Sequence, residues 1–290
     1  MAKTPEKKDP ETTGHSWNGI EEFNNPLPRW WLITLYLTII WAIGYMIAYP
    51  AIPLVNGATP GLLGYSSRGE VAADIEAVNT QNAPLIERIN ELELTAIAGD
   101  ELVGGEADGF AYNGGKAVFA TFCSQCHGAG ANGFEGAGYP SLIDDDWLWG
   151  GSMEDIYTTI NHGIRHEADL DTRLSDMPAF GEFLTDEEIT GLVQYVGALS
   201  EINGAEKTEE GEILFLDNCA ACHADDGTGD RFVGAPNLTD AIWLYGSDPE
   251  TLEETITFAR FGEMPAWAGR LSEAQVRQAA VYIHSLGGGE

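Results

Sequence analysis

Every cysteine of the chain sits in one of two C-x-x-C-H groups, Cys123-Cys126-His127 and Cys219-Cys222-His223. That spacing is the attachment pattern of c-type haem. Two thiols add across the two vinyl groups of a porphyrin, and the adjoining histidine is then held beneath the iron as an axial ligand. A zinc site would need further ligands at zinc-like spacing, and a redox dithiol does not require the histidine. With 4 Cys and 6 His in 290 residues, random order would give such a group roughly 0.001 times per chain. Two covalently bound haem c groups are therefore expected.

A six-coordinate carrier needs an iron ligand on the opposite face. Thioether sulfur is soft, favours reduced iron and raises the potential. Of the five methionines, Met1 is the initiator, Met46 lies in an apolar run and Met153 has no counterpart in the second half. Met177 and Met264 remain, each followed by proline. They are the expected sixth ligands, so His127, Met177, His223 and Met264 form the expected iron-ligand set. Each methionine is expected to serve the haem of its own half.

Pro140 and Pro236 each lie 13 residues after the iron-binding histidine. A loop carbonyl there is placed to accept the histidine's ring N–H and fix its tautomer. Trp147 and Trp243 are expected to pack on the porphyrin or donate an indole N–H to a propionate, with plain core packing the equal alternative. His162, His166 and His284 are unmatched between the halves and read as surface or capping residues, His166 being a rival axial ligand by its place near Met177. There is no Ser-His-Asp set, no carboxylate pair near a pocket and no phosphate-binding glycine loop. With both sites closed by methionine, the chemistry is outer-sphere electron transfer, with no substrate-reducing site and no catalytic residue expected.

The elements that position these groups come as a repeat. Phe119, Cys123, Cys126, His127, Pro140, Leu142, Trp147 and Gly150 recur 96 residues later, as Phe215, Cys219, Cys222, His223, Pro236, Leu238, Trp243 and Gly246. The offset then falls to 87, matching Met177-Pro178 with Met264-Pro265 and Tyr195 with Tyr282, so the first copy carries nine more residues within 162–176. Each copy opens with a short helix, Ala117–Phe122 and Glu212–Leu216. Each closes with an amphipathic one begun by a capping box, Thr185 with Glu188 and Ser272 with Gln275. Ile189, Leu192, Val193 and Val196 give the apolar stripe of the first, and Val276, Ala279, Ala280 and Ile283 that of the second. Two domains are expected, 110–201 and 208–290, joined by 202–207.

Upstream, Trp30 to Tyr49 run 20 residues without a charge, about 30 Å as a helix and enough to cross a hydrocarbon core. Trp30, Trp31, Tyr45 and Tyr49 sit at its ends as an aromatic belt, and Pro50 and Pro53 follow. A transmembrane helix over 30–50 is expected. Lys3, Lys7, Lys8 and Arg29 precede it and only Arg68 occurs in residues 50–78, which puts segment 1–29 in the cytoplasm. Residues 51–109 read as a helical spacer and linker. Its stretch Arg68 to Ala98 is split into two helices at Pro84, and Gly99 to Gly109 is acidic and glycine-rich. The fold class is mainly α: one N-terminal transmembrane helix, then two tandem class I cytochrome c domains.

Asp plus Glu number 46 against 14 Lys plus Arg, a formal charge of −32. That excludes a nucleic-acid binder, which needs a basic face. It suits either a basic protein partner reached by electrostatic steering or simple solubility.

Thr13–Trp31 (TGHSWNGIEEFNNPLPRWW), followed by one span ending at Pro50, resembles the N-terminus of the dihaem CcoP/FixP subunit (subunit III) of cbb3-type cytochrome c oxidases. The two C-x-x-C-H groups, the runs Trp147–Gly150 and Trp243–Gly246, and the runs Met177–Phe180 and Met264–Trp267 are similar to that subunit too, so the resemblance covers nearly the whole chain. It implies an electron-transfer subunit of a proton-pumping terminal oxidase in the bacterial inner membrane, with the haem parts periplasmic. It implies a cytochrome c donor, a monohaem subunit as acceptor, and a haem–copper subunit that reduces oxygen, all in a lipid membrane. Cys123, Cys126, His127, Met177, Cys219, Cys222, His223 and Met264 are the positions onto which the family's haem ligands map. Some members have a second N-terminal span; this chain shows one. The alternatives are a free-standing anchored carrier and a dihaem peroxidase-like enzyme.

Overall fold

A computed structural model describes residues 10–104, 109–134, 136–202 and 204–290. Lys3, Lys7 and Lys8, which carry most of the N-terminal charge bias, and part of the glycine-rich linker lie outside the described residues. The chain divides into two compact units, Met1–Gln81 and Asn82–Glu290.

The first unit opens with a hairpin, β1 (Thr12–Trp17) antiparallel to β2 (Ile20–Phe23), with Trp17 opposite Ile20. Asn18 and Gly19 join the strands at φ 49° and 85°. A two-residue turn of this twist needs positive φ at both positions, which Asn-Gly supplies most readily. Helix α1 (Arg29–Ala48) follows, between Pro28 and an extended Tyr49 that precedes Pro50. No residue of α1 is buried in the protein. A helix apolar on all sides suits lipid as its solvent. Even its hydroxyls are satisfied within the helix, Thr34 donating to the Trp30 carbonyl at 2.9 Å and Thr38 to that of Leu35 at 2.8 Å. Among the described residues it is the one helix long and apolar enough to cross a membrane. A two-residue pair, β3 (Pro53–Leu54) with β4 (Gly57–Ala58), comes next.

Helix α2 (Ser67–Glu91) is continuous, with Pro84 inside it. The expected break is absent. An interior proline removes one backbone bond and costs about 3 kcal/mol. The turn beyond it is held by packing, since Leu85, Ile86 and Ile89 join a core with Leu94, Ile97 and Val103. Ile89, Ile97 and Val103 are 0% exposed, and burying each such side chain contributes about 1.5–3 kcal/mol. Arg88 reaches Asp100 at 2.8 Å, and Asp100 accepts the Leu102 and Val103 N–H groups. These contacts hold the Asp100 carboxyl below its usual range. The segment read as a spacer thus braces a core.

The second unit also holds α3 (Phe110–Val118), α4 (Ser124–His127), α5 (Met153–His162), α6 (Asp186–Leu199), α7 (Glu209–Asn218), α8 (Ala220–His223), α9 (Pro249–Phe258) and α10 (Glu273–His284). The opening helices α3 and α7 begin earlier than the sequence suggests. Both capping boxes form as read, at Thr185–Glu188 and Ser272–Gln275.

The packing exchanges partners between the copies. Closing helix α10 of the second copy packs on α3 and α5 of the first, while α6 of the first packs on α7 and α9 of the second. The two copies are thus interlocked through their closing helices. The reason lies in chain length. Only residues 200–208 separate α6 from α7, and these sequence neighbours pack on each other. Opening helix α3 is then left for α10. The two crossings are alike: Tyr282 lies 5.6 Å from Phe119, and Tyr195 lies 5.3 Å from Phe215, ring centre to ring centre. Gly115 and Gly211 allow the close approach, one against the Gln278 carbonyl and the other against Tyr195.

Candidate functional site

Each C-x-x-C-H group ends a short helix whose following loop folds back beneath it. The Gly133 N–H donates to the His127 carbonyl and the Gly229 N–H to that of His223, both at 2.9 Å. The fold-back sets the two proline carbonyls opposite the imidazoles. His127 Nδ1 donates to Pro140 O at 3.1 Å, and His223 Nδ1 to Pro236 O at 3.0 Å, as the 13-residue spacing suggests. With the proton on Nδ1, the Nε2 lone pair is left for a metal. Burial pushes both histidines below the usual imidazole range, the proline carbonyls opposing it. A neutral imidazole is what metal binding requires. The four thiols are free, Cys126 and Cys222 exposed. Burial, and then the neighbouring thiol, pushes Cys123 and Cys219 up to about 11.

All eight expected ligand residues line one cavity of about 540 Å³. Of its lining, Met264, Cys123 and Trp267 pack against the core of α3, α5 and α10, and Trp147 packs on the same core without lining the cavity. Met177, Cys219 and Trp243 pack against that of α6, α7 and α9. Met264 is fastened to the first copy: Ile164 and Met264 exchange N–H···O bonds of 2.9 and 3.0 Å, and the Trp267 N–H donates to the Ile160 carbonyl. The expectation that each methionine sits with its own copy's cysteines is therefore corrected. It fails because Met177 and Met264 each lie nine residues before a closing helix, α6 and α10, and travel with it.

Two aromatics that the sequence reading passed over close the seam. Trp149 lies against Gly234 of the second copy, and Tyr245, its counterpart 96 residues on, lies against Gly138 of the first. A Cβ on Gly138 would sit 2.5 Å from the Tyr245 ring, and both glycines have positive φ. The run W-L-[WY]-G at matched positions was the available signal. Trp147 donates its indole N–H to the Gly288 carbonyl near the C-terminus. His166 pairs with Glu263 at 3.0 Å and is absent from the cavity wall. His162 pairs with Asp169, and His284 with the Glu290 carbonyl.

The residues present fit haem c. Two pairs of thiols, two tautomer-fixed imidazoles and two thioethers face a mostly apolar space, the arrangement of a c-type cytochrome. Residues 110–196 and 206–283 match the family model described as Cytochrome C oxidase, cbb3-type, subunit III. Residues 9–56 match the N-terminal domain of cytochrome oxidase-cbb3, FixP. The chain is 55% identical over 296 residues to the cbb3-type cytochrome c oxidase subunit CcoP of Cereibacter sphaeroides, with all of both chains covered. It is 50% identical over 304 residues to the subunit CcoP of Rhodobacter capsulatus, again with both covered in full. It is 49% identical to the subunit FixP of Sinorhizobium medicae, covering 97% of this chain and 95% of the relative. The chain belongs to the family of cbb3-type cytochrome c oxidase subunit III, membrane-anchored cytochromes that bind haem c.

Proposed function

We propose that this chain binds two haem c groups and carries electrons from a donor cytochrome c, through both of them, to the other subunits of a cbb3-type oxidase. Cys123, Cys126 and His127 hold one haem with Met264 as its sixth ligand. Cys219, Cys222 and His223 hold the other with Met177. The observation that carries this pairing is the two-way backbone bridge that fixes Met264 to Ile164, in the core shared with Cys123. Haem c supplies a one-electron iron couple. The chain's own part is to hold His127 and His223 neutral, to present a soft sulfur that favours reduced iron, and to keep water from the apolar walls. The lining of one cavity by both ligand sets suits transfer between two close centres.

The acceptors are a monohaem subunit and, beyond it, the haem–copper subunit. α1 spans the inner membrane with segment 1–29 in the cytoplasm and the haem sites in the periplasm, where thioether attachment occurs. Purification from detergent-solubilised membranes tests the assignment. The chain should co-elute with the haem–copper subunit, stain for haem on a denaturing gel and titrate as two redox components. A haem-stained chain that elutes alone would make it a free-standing carrier. Electron uptake from a basic donor should slow as salt rises, because screening weakens steering. A flat profile would assign the −32 charge to solubility.

A further inference from the structure

The nine residues that the first copy has beyond the second bring an arginine to the meeting point of the two methionine segments. Arg165 Nε donates to the Ser175 carbonyl at 2.7 Å and to Asp176 Oδ1 at 3.0 Å. These are the two residues before Met177. Its Nη1 donates to the Gly262 carbonyl at 2.9 Å, two residues before Met264. The guanidinium lies 5.2 Å from the centre of the Phe261 ring, and the side chain is only 17% exposed.

Three further observations point the same way. The Arg165 backbone is in the left-handed region, φ 55°, which a non-glycine residue keeps when its surroundings hold it there. Its neighbour Ile164 makes the two-way bridge to Met264, and its neighbour His166 pairs with Glu263. Arg260 also lines the cavity, but its donors all go to Thr251, Glu254 and Thr255 on the preceding helix α9. Among the described residues, Arg165 is the cavity arginine that touches both methionine segments.

We propose that Arg165 is a positioning residue for both iron sites at once, clamping the Met177 and Met264 segments to each other. This rests on the reading that these methionines are the sixth ligands. A planar fork of five donors can satisfy acceptors in several directions; a lysine ammonium on a flexible stem cannot reproduce it.

The test uses the purified complex and the near-infrared charge-transfer band of methionine-ligated ferric haem, alongside redox titration. Met177→Ala and Met264→Ala should each remove about one haem's share of the band. Arg165→Ala and Arg165→Lys should each remove more than one haem's share and lower both redox components, with both haems still covalently attached. Loss confined to one haem, or none, overturns the clamp. A lysine variant that behaves as the parent overturns it too, since charge alone would then suffice. Should Arg165→Ala fail to assemble, Arg165→Gln is read by the same criteria. If the two methionine variants leave the band intact, the ligand reading itself fails, and that outcome is separate from any result at Arg165.

Discussion

The site around Cys123 and the site around Cys219 are made from the same parts: an opening helix, a C-x-x-C-H turn, a middle helix and a closing helix borrowed from the other copy. They differ in what stands behind them. The Cys123 core gains Ile89, Leu94, Ile97 and Val103 from the chain that leads into it, and the tail beyond α10 returns to meet Trp147. The Cys219 core gains neither. Its buried cluster runs from Phe180 to Ile256 and stays within α6, α7, α9 and their loops. The methionines differ in the same sense. Met264 is zipped by two backbone bonds to Ile164, whereas among the described hydrogen bonds Met177 has none of its own and depends on Ser175 and Asp176 before it. Duplication has therefore produced two sites of like chemistry and unlike mechanical support.

The largest effects should come from removing the ring at the helix crossing. Phe215→Ala and Phe119→Ala each empty a fully buried position and should cost about 3–5 kcal/mol. Denaturant melts followed at each site should show the Phe215 variant releasing its site at lower denaturant, because among the described residues that core has no counterpart of the Ile89–Val103 brace. Equal midpoints would erase the asymmetry. Next comes the brace itself: Ile97→Ala, at a position 0% exposed, should cost about 2–5 kcal/mol and loosen the Met264 site while leaving the Met177 site unchanged. Loss at both sites alike would show that the two cores unfold as one.

Smaller effects sharpen the comparison. Thr185→Ala and Ser272→Ala each remove a capping box and should cost about 1 kcal/mol, the former felt at the Cys219 core and the latter at the Cys123 core. The least is a pH dependence at the seam. Burial, then Asp240 and Asp144, pushes the half-buried Asp146 up to about 6, against the pull of Arg231. A carboxyl raised in the folded state binds protons there that the unfolded chain releases. Its contribution to stability is full below about pH 4 and is lost as pH rises towards about 6. Asp146→Asn should flatten that part of the stability profile, and an unchanged slope would exonerate Asp146.

Much of this was legible in the residues. The haem motifs, the apolar span, the repeat, the capping boxes and the proline carbonyls behind His127 and His223 all follow from spacing. What spacing cannot give is partnership. The stripe Val276–Ile283 shows which face of α10 is buried but not whose core buries it, so the exchange of closing helices was invisible. Pro84 reads as a break only until the packing of Ile89 is known. Arg165 offered no signal, because its role comes from carbonyls supplied by two distant segments. The Asn18-Gly19 hairpin did carry a signal, since Asn-Gly is the pair that a two-residue turn of positive φ most readily takes.

In the proposed pairing, each haem takes its methionine from the other copy. That pairing is tested most directly in a chain made single-haem by Cys219→Ser and Cys222→Ser. Adding Met264→Ala should abolish the near-infrared methionine–iron band of the haem that remains on Cys123 and Cys126, and adding Met177→Ala should spare it. A band lost with Met177→Ala and kept with Met264→Ala would overturn the exchange of methionines.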